Sequence, residues 1–316
     1  MTVRMQSLPF DAASLRGLSR KLIESHHQNN YGGAVKRLAA IRAQLAQLPF
    51  ASTPGFTLNG LKREELIATN SMLLHELYFA SLGGDGVSMV PAMQLALAAN
   101  FGSVERWREE FVAMGRALGG GSGWVLLMFQ PREGSLVNQW SADHTHAIAG
   151  GVPLLALDMY EHAYHLDHGA AAAAYVDAFM GNIAWGGVYE RYQHAVHAAS
   201  EGFAATQEDA AKALVIDVRR AGMYEQASAT LPGAVWRDPA KVAQWADEMA
   251  DEMSDKSARG LKPDQKVVVY CVYGHEVGRA TALRLRDAGI NARFLQGGFD
   301  AWQAAGKPVQ AKGEAP

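Results

Sequence analysis

A chain of 316 residues, 49% hydrophobic and 19% charged, is composed like a globular protein and is long enough for two buried cores. Its net charge of −3 argues against nucleic-acid binding, which requires a basic stripe that the sequence does not show, so no nucleic-acid partner is expected. No apolar run reaches the roughly 18 residues that span a bilayer, the first ten residues lack the apolar stretch of a secretory signal, and Cys271 is the sole cysteine; the expected setting is the cytoplasm, with no membrane partner.

In chain order, residues 15–47 place Leu18, Leu22, Val35, Leu38 and Ile41 at helical spacing, with a kink or break expected at Asn29-Asn30-Tyr31-Gly32-Gly33. Residues 63–82 read as one helix and 103–118 as another, with Ser103 as its N-cap. A glycine-rich turn at 119–123 feeds a strand at 124–129. Further strands are expected at 136–140 and 154–158, and a helix at 170–192. The pattern changes near residue 200, where residues 200–206 read as a short linker. Beyond it come a helix, a strand at 213–217, a loop around 231–235 and a charged helix from 239 to about Ser257. A strand at 266–270, a glycine-containing loop, a helix at 278–288, a strand at 292–295 and Gly297-Gly298 complete the chain. This alternation predicts a small, mostly parallel α/β sheet. Two domains are expected, 1–200 and 206–316.

Two groups of residues carry chemistry. Asp158 and His162 stand four apart at the end of the apolar run 152–157. A buried carboxylate beside an imidazole is costly unless paired, and a metal ion suits both. Redox iron or manganese calls for imidazoles plus a carboxylate with one position left open, and the same region offers His26, His27, His75, His144, His146, His165 and His168. The second group is Cys271, which follows a strand and opens the loop Val272-Tyr273-Gly274-His275-Glu276 ahead of a helix. Loop N–H groups and the helix N-terminus are expected to lower its pKa and favour the thiolate.

The octet Leu157-Asp158-Met159-Tyr160-Glu161-His162-Ala163-Tyr164 resembles the second metal-ligand motif of the iron/manganese superoxide dismutases. Residues 18–26 resemble that family's first ligand helix without a gap and place the ligand at His26; His27 would point elsewhere on a helix. Residues 68–79 resemble the helix carrying the next ligand, at His75, and further likeness lies in 100–103, 121–124 and 182–185, so the resemblance spans roughly 10–195. It implies an N-terminal α-hairpin plus an α/β region, with one iron or manganese ion per chain held by His26, His75, Asp158 and His162. The implied activity is dismutation of superoxide to dioxygen and hydrogen peroxide. The family's glutamine beside the metal has no counterpart at Ser71, four before His75. In the alternative segment, 140–146, His144 is the better fit for a catalytic role and His146 the runner-up. Tyr78, Trp124 and Trp185 match surrounding aromatic positions, and Glu161 resembles a glutamate that crosses the subunit interface, which implies a homodimer or higher oligomer. Ala34 stands where the gateway tyrosine is usual, Asn30 and Tyr31 replace a histidine pair, Tyr160 replaces a tryptophan, and His168-Gly169-Ala170 replaces Tyr-Arg-Asn.

Leu214-Val215-Ile216-Asp217-Val218-Arg219, Leu231-Pro232-Gly233-Ala234, Val269-Tyr270-Cys271 and Gly297-Gly298-Phe299-Asp300-Ala301-Trp302 together resemble a single-domain rhodanese over roughly 206–312. The implied fold is α/β with a parallel sheet. The implied chemistry is attack by Cys271 on a sulfane-sulfur donor (thiosulfate or a persulfide), storage as a persulfide and transfer to an acceptor. Val277 occupies the position where related phosphatases need an arginine, the nearest being Arg279, which favours sulfur over phosphate. Asp217 and Arg219 are expected to hold the loop rather than to react. Together the resemblances imply a superoxide dismutase fused to a sulfurtransferase; the alternative is a repurposed or weakly active metal-binding protein with a rhodanese-type redox or persulfide sensor.

Overall fold

Ser19 opens the first helix by accepting, on Oγ, the N–H of Leu22 at 3.1 Å. Helix α1 (Arg20–Ser25) passes into a π-helical turn (His26–Tyr31) and then α2 (Gly32–Ala46) with no break. The expected interruption at Asn29–Gly33 is thus a widening of the helix, which lets His26, His27 and Tyr31 all be buried. The computed structural model describes residues 3–254 and 265–312. Helix α3 (Gly55–Ala80) starts after Pro54, well ahead of residue 63, and packs Ala68 on Leu38 and Ile41 of α2.

Helix α4 (Pro91–Phe101) has no counterpart in the sequence reading; Pro91 pre-sets its first turn. Helix α5 (Val104–Ala117) is capped by Ser103, whose Oγ accepts from Arg106 N at 3.0 Å. Strands β1 (Trp124–Gln130), β2 (Ser135–Ser141) and β3 (Val152–Asp158) form a sheet in the order β2-β1-β3. After a single 3-10 turn (Glu161–Ala163) come α6 (His165–His168), α7 (Ala172–Met180) and α8 (Trp185–Ser200). The one helix expected over 170–192 is therefore two. Between them Ile183 bridges Leu82, and the Asn182 and Ile183 carbonyls accept from Gly84 and Gly86, pulling the backbone out of helical bonding.

The expected linker is also structured. Residues Glu201–Phe203 make a 3-10 turn and β4 (Ala204–Ala205) joins a sheet edge. There follow α9 (Gln207–Ala210), β5 (Leu214–Asp217), α10 (Ala221–Gln226), β6 (Ala229–Thr230), β7 (Val235–Trp236) and α11 (Val242–Ser254). The expected helix end near Ser257 lies outside the described residues. The chain continues with β8 (Val267–Tyr270), α12 (Glu276–Asp287), β9 (Ala292–Leu295), α13 (Gly298–Ala304) and β10 (Gln310–Ala311). The five-stranded sheet runs β4-β9-β8-β5-β7 with every neighbouring pair parallel, and β6 pairs antiparallel with β10. Strand β8 is buried on both faces. Val267 and Val269 join the core with Trp245 and Leu285, while Val268 and Tyr270 join the opposite core with Leu231 and Trp302. By the same alternation Cys271 falls on the first of these faces.

By contacts the chain divides into two compact units: Met1–Met89 with Arg108–Met128 and Asn138–Val188, and Val90–Trp107 with Phe129–Val137 and Tyr189–Pro316. Among the described residues no helix is long and apolar enough to cross a membrane.

Candidate functional site

Four elements of the first unit aim at one point. The π turn supplies His26, α3 supplies His75, the last residue of β3 is Asp158, and the 3-10 turn that follows carries His162. Asp158 Oδ2 lies 3.1 Å from His26 Nε2, 3.1 Å from His162 Nε2 and 3.5 Å from His75 Nε2. All four ligand atoms lie within 4.8 Å of one another, and His26, His75 and Asp158 are buried. His75 Nδ1 donates to the Ser71 carbonyl at 2.6 Å, so its Nε2 carries a lone pair. That lone pair faces the Asp158 carboxylate and, at 3.4 Å, His162 Nε2. Acceptors crowded together in this way repel unless a cation sits among them, and three imidazoles with one carboxylate suit a redox transition metal. Burial pushes His75 down to about 3 and lowers His26. Burial alone would raise Asp158, but His162 and His26 hold it well below the carboxylate range. Neutral imidazoles beside an ionised carboxylate are the form that binds a cation.

Aromatic residues enclose the cluster. Tyr78 is buried 5.0 Å from the His26 ring, and Trp124 meets His75 edge-on at 5.3 Å. The Trp124 indole donates to His144 Nδ1 at 3.0 Å, which leaves the His144 proton on Nε2. Burial lowers the pKa of His144, and its ring stacks on Tyr160 at 4.9 Å, which in turn stacks on His162 at 5.3 Å. His146 lies outside this group, against Trp140. His27 likewise points elsewhere, its Nε2 bonded to the Gln6 carbonyl at 2.9 Å. Trp185 is buried and donates to the Gly86 carbonyl, and Glu161 is exposed on its turn. A cleft of about 440 Å³ leads past Asn30, Ala34 and Arg37 to His75, His144, Tyr160 and His162. Sequence reasoning missed Tyr175, whose hydroxyl donates to the Asp158 carbonyl at 2.7 Å and so fixes the backbone of a cluster residue; nothing local in the sequence marks it.

In the second unit, Cys271 directly follows β8 and the loop Val272–His275 turns into α12. Gly274 (φ +68) and Gly298 (φ +60) make the turn possible: a Cβ on Gly298 would lie 2.5 Å from the Cys271 carbonyl oxygen. Phe299 N donates to that carbonyl at 3.0 Å and Asp300 N to that of Val272 at 2.9 Å, clamping the loop to α13. Asp217 accepts from Arg219 Nε and from the Tyr270 hydroxyl, and Arg219 also donates to the Ala229 carbonyl, an arrangement that holds loops rather than substrate. Arg279 does not reach the thiol pocket; its Nε donates to the Gly274 carbonyl at 2.9 Å and its guanidinium lies over Phe294. The expected low thiol pKa is overturned. Cys271 is buried, and burial pushes it up further than the N–H groups of Gly278, His275 and Gly274 bring it down; nearby Glu276 adds to the rise.

Residues 90–191 match the family described as iron/manganese superoxide dismutases, C-terminal domain, and residues 201–305 match the rhodanese-like domain. The superoxide dismutase [Fe] of Cupriavidus metallidurans is 65% identical over 196 residues, which are 62% of this chain and 99% of that protein. The chain belongs to the iron/manganese superoxide dismutases. More distant members of that family are the superoxide dismutase [Fe] of Aquifex pyrophilus, 33% identical over 58% of this chain and 89% of that protein, and the superoxide dismutase [Mn] 1 of Halobacterium salinarum, 33% identical over 60% and 94%. Set within the dismutase family, the departures near the first helix acquire a structure. Tyr31 donates to Glu76 at 2.8 Å and accepts from Gln6 N at 2.7 Å, while Asn30 and Ala34 line the cleft. The rhodanese-like domain that follows is an addition about a third of the chain long.

Proposed function

We propose that this chain binds one iron or manganese ion through His26, His75, Asp158 and His162 and dismutates superoxide to dioxygen and hydrogen peroxide. Its rhodanese-like domain carries sulfane sulfur as a persulfide on Cys271. The observation that supports the first part is the convergence of three imidazole Nε2 atoms on one Asp158 oxygen, with His75 tied so that its lone pair points there. When bound, the ion would supply the one-electron redox chemistry by which two superoxide anions become dioxygen and hydrogen peroxide. Asp158 offsets its positive charge. His144, its tautomer set by Trp124, offers an N–H at the end of the cleft through which a small anion reaches His75 and His162. We place the dismutase domain at 1–200 and the rhodanese-like domain at 206–316, in a cytoplasmic homodimer or higher oligomer in which the exposed Glu161 contacts a second subunit.

Metal analysis followed by a dismutase assay on the same sample is the test. About one iron or manganese per chain is expected, with His75→Ala or Asp158→Ala losing both metal and activity; metal retained in either variant overturns the assignment. Cys271→Ser should abolish sulfur loading and leave the metal in place. A second reading, a metal-binding protein of slow turnover beside a persulfide sensor, has the cleft in its favour, since Ala34 leaves it without the usual tyrosine. Bound metal with negligible superoxide removal would select it.

A further inference from the structure

The Cys271 pocket, about 200 Å³ in volume, carries a buried negative charge beside its thiol. Glu276 is the first residue of α12, is 5% exposed and lines this pocket. A helix N-terminus at such a loop ordinarily presents partial positive charge and N–H groups to an anion. Here a carboxylate stands at that end and opposes the N–H groups of Gly274, His275 and Gly278. Among the described residues it is held by two neutral donors: Oε1 accepts the Tyr189 hydroxyl at 2.7 Å and Oε2 accepts Gln193 Nε2 at 3.2 Å. Both residues lie on α8, in the same unit as Cys271.

Arg219 is paired with Asp217, whereas Arg279, bonded to the Gly274 carbonyl and Ser200 and lying over the Phe294 ring, stays outside the lining but keeps its charge within electrostatic reach of Cys271 and Glu276. Arg220 is the remaining cation of the lining, one positive charge against that of Glu276. The other walls include Tyr189, Met223 and Tyr273, surfaces suited to an organic group.

We infer that the Cys271 pocket selects an organic persulfide, which carries at most a single negative charge and reacts in its protonated form R–S–SH, over the thiosulfate dianion, and that Glu276 is the residue that sets this preference. The inference rests on the sulfur-transfer reading of the domain. In the step it names, the Cys271 thiol gives its proton to solvent and the thiolate attacks the outer sulfur of R–S–SH. The donor's S–S bond breaks, its electron pair leaves on R–S⁻, which takes up a proton, and the new bond makes Cys271–S–SH. With thiosulfate the same attack would bring two negative charges against Glu276 and expel sulfite. The buried, raised thiol agrees with an anion-poor pocket.

The test uses the full chain and two probes, sodium thiosulfate and 2-hydroxyethyl persulfide, with loading of Cys271 followed by cyanide-labile sulfur and intact mass. The wild type is expected to load faster from the persulfide. Glu276→Gln should raise the ratio of thiosulfate to persulfide rate at least ~10-fold, the size expected for removing one charge a few ångströms from a dianion. Glu276→Asp, which keeps the charge, should keep the wild-type ratio. A ratio unchanged in Glu276→Gln, or a wild type that prefers thiosulfate, overturns the inference and leaves sulfur transfer standing. Loading from neither probe overturns both.

Discussion

The buried pair Asp217–Arg219 should be the most stability-sensitive polar feature of the rhodanese-like domain. Asp217 is 0% and Arg219 3% exposed. The carboxylate accepts from Arg219 N at 2.9 Å, from Arg219 Nε at 2.9 Å and from the Tyr270 hydroxyl at 2.8 Å. Asp217→Asn keeps the shape but leaves a buried guanidinium without its counter-charge. Breaking one side of such a pair costs about 3–5 kcal/mol, a drop of roughly two to three and a half powers of ten in the folded-to-unfolded ratio. Replacing both partners by apolar residues, Asp217→Leu with Arg219→Met, removes the unpaired charge, and the coupling between the sites should be at least ~2 kcal/mol. Urea unfolding followed by tryptophan fluorescence, with Trp236, Trp245 and Trp302 as reporters in this part of the chain, gives both numbers. A cost below ~1 kcal/mol for Asp217→Asn, or single effects that simply add, would refute the account.

Two further outcomes are expected. Because burial raises the Cys271 thiol above its ordinary value, its thiolate fraction near neutrality is smaller than that of a free thiol, so alkylation by iodoacetamide should still be accelerating at pH 9; a plateau at or below pH 8.5 contradicts this. Ala34→Tyr places a phenol in the cleft leading to His75 and His162, and optical titration of the metal-loaded protein should show azide binding weakened ~3-fold or more; unchanged affinity would mean that small anions arrive by another route.

Much of the metal cluster was legible because its residues sit in short local patterns. Asp158 and His162 share one octet, and His75 lies on a helix whose neighbours are unmistakable in type. The choice of His26 over His27 rested on the resemblance of residues 18–26 to the family's first ligand helix, and the structure turns the two imidazoles to different partners. What escaped was set by distant chain. The break at Asn182–Ala184 comes from bonds to Gly84 and Gly86, invisible in a segment that reads as continuous helix. Strand β4 is two residues long and exists through its pairing with β9, so no periodicity could announce it. The Cys271 pKa went the other way because a loop's N–H groups are local whereas burial is not. For the same reason the meeting of Glu276 with Tyr189 could not be foreseen.

The π turn at His26–Tyr31 makes the spacing of this helix, rather than its composition, the guarded quantity. Ahead of it Leu22 and Ile23 are buried, and beyond it Val35, Leu38 and Ile41 are buried too. Each residue advances an α-helix by about 100°, so the extra residue in the wide turn lets both stripes and His26 face inward together. Shortening the segment by one residue would restore regular helical bonding and yet rotate one side by that angle. Either the α2 stripe or the imidazole would then leave the interior. Substitutions along Gln28–Asn30 are therefore tolerable in ways that insertions and deletions are not: the turn works as a phase adjuster, and the centre depends on its length to the residue.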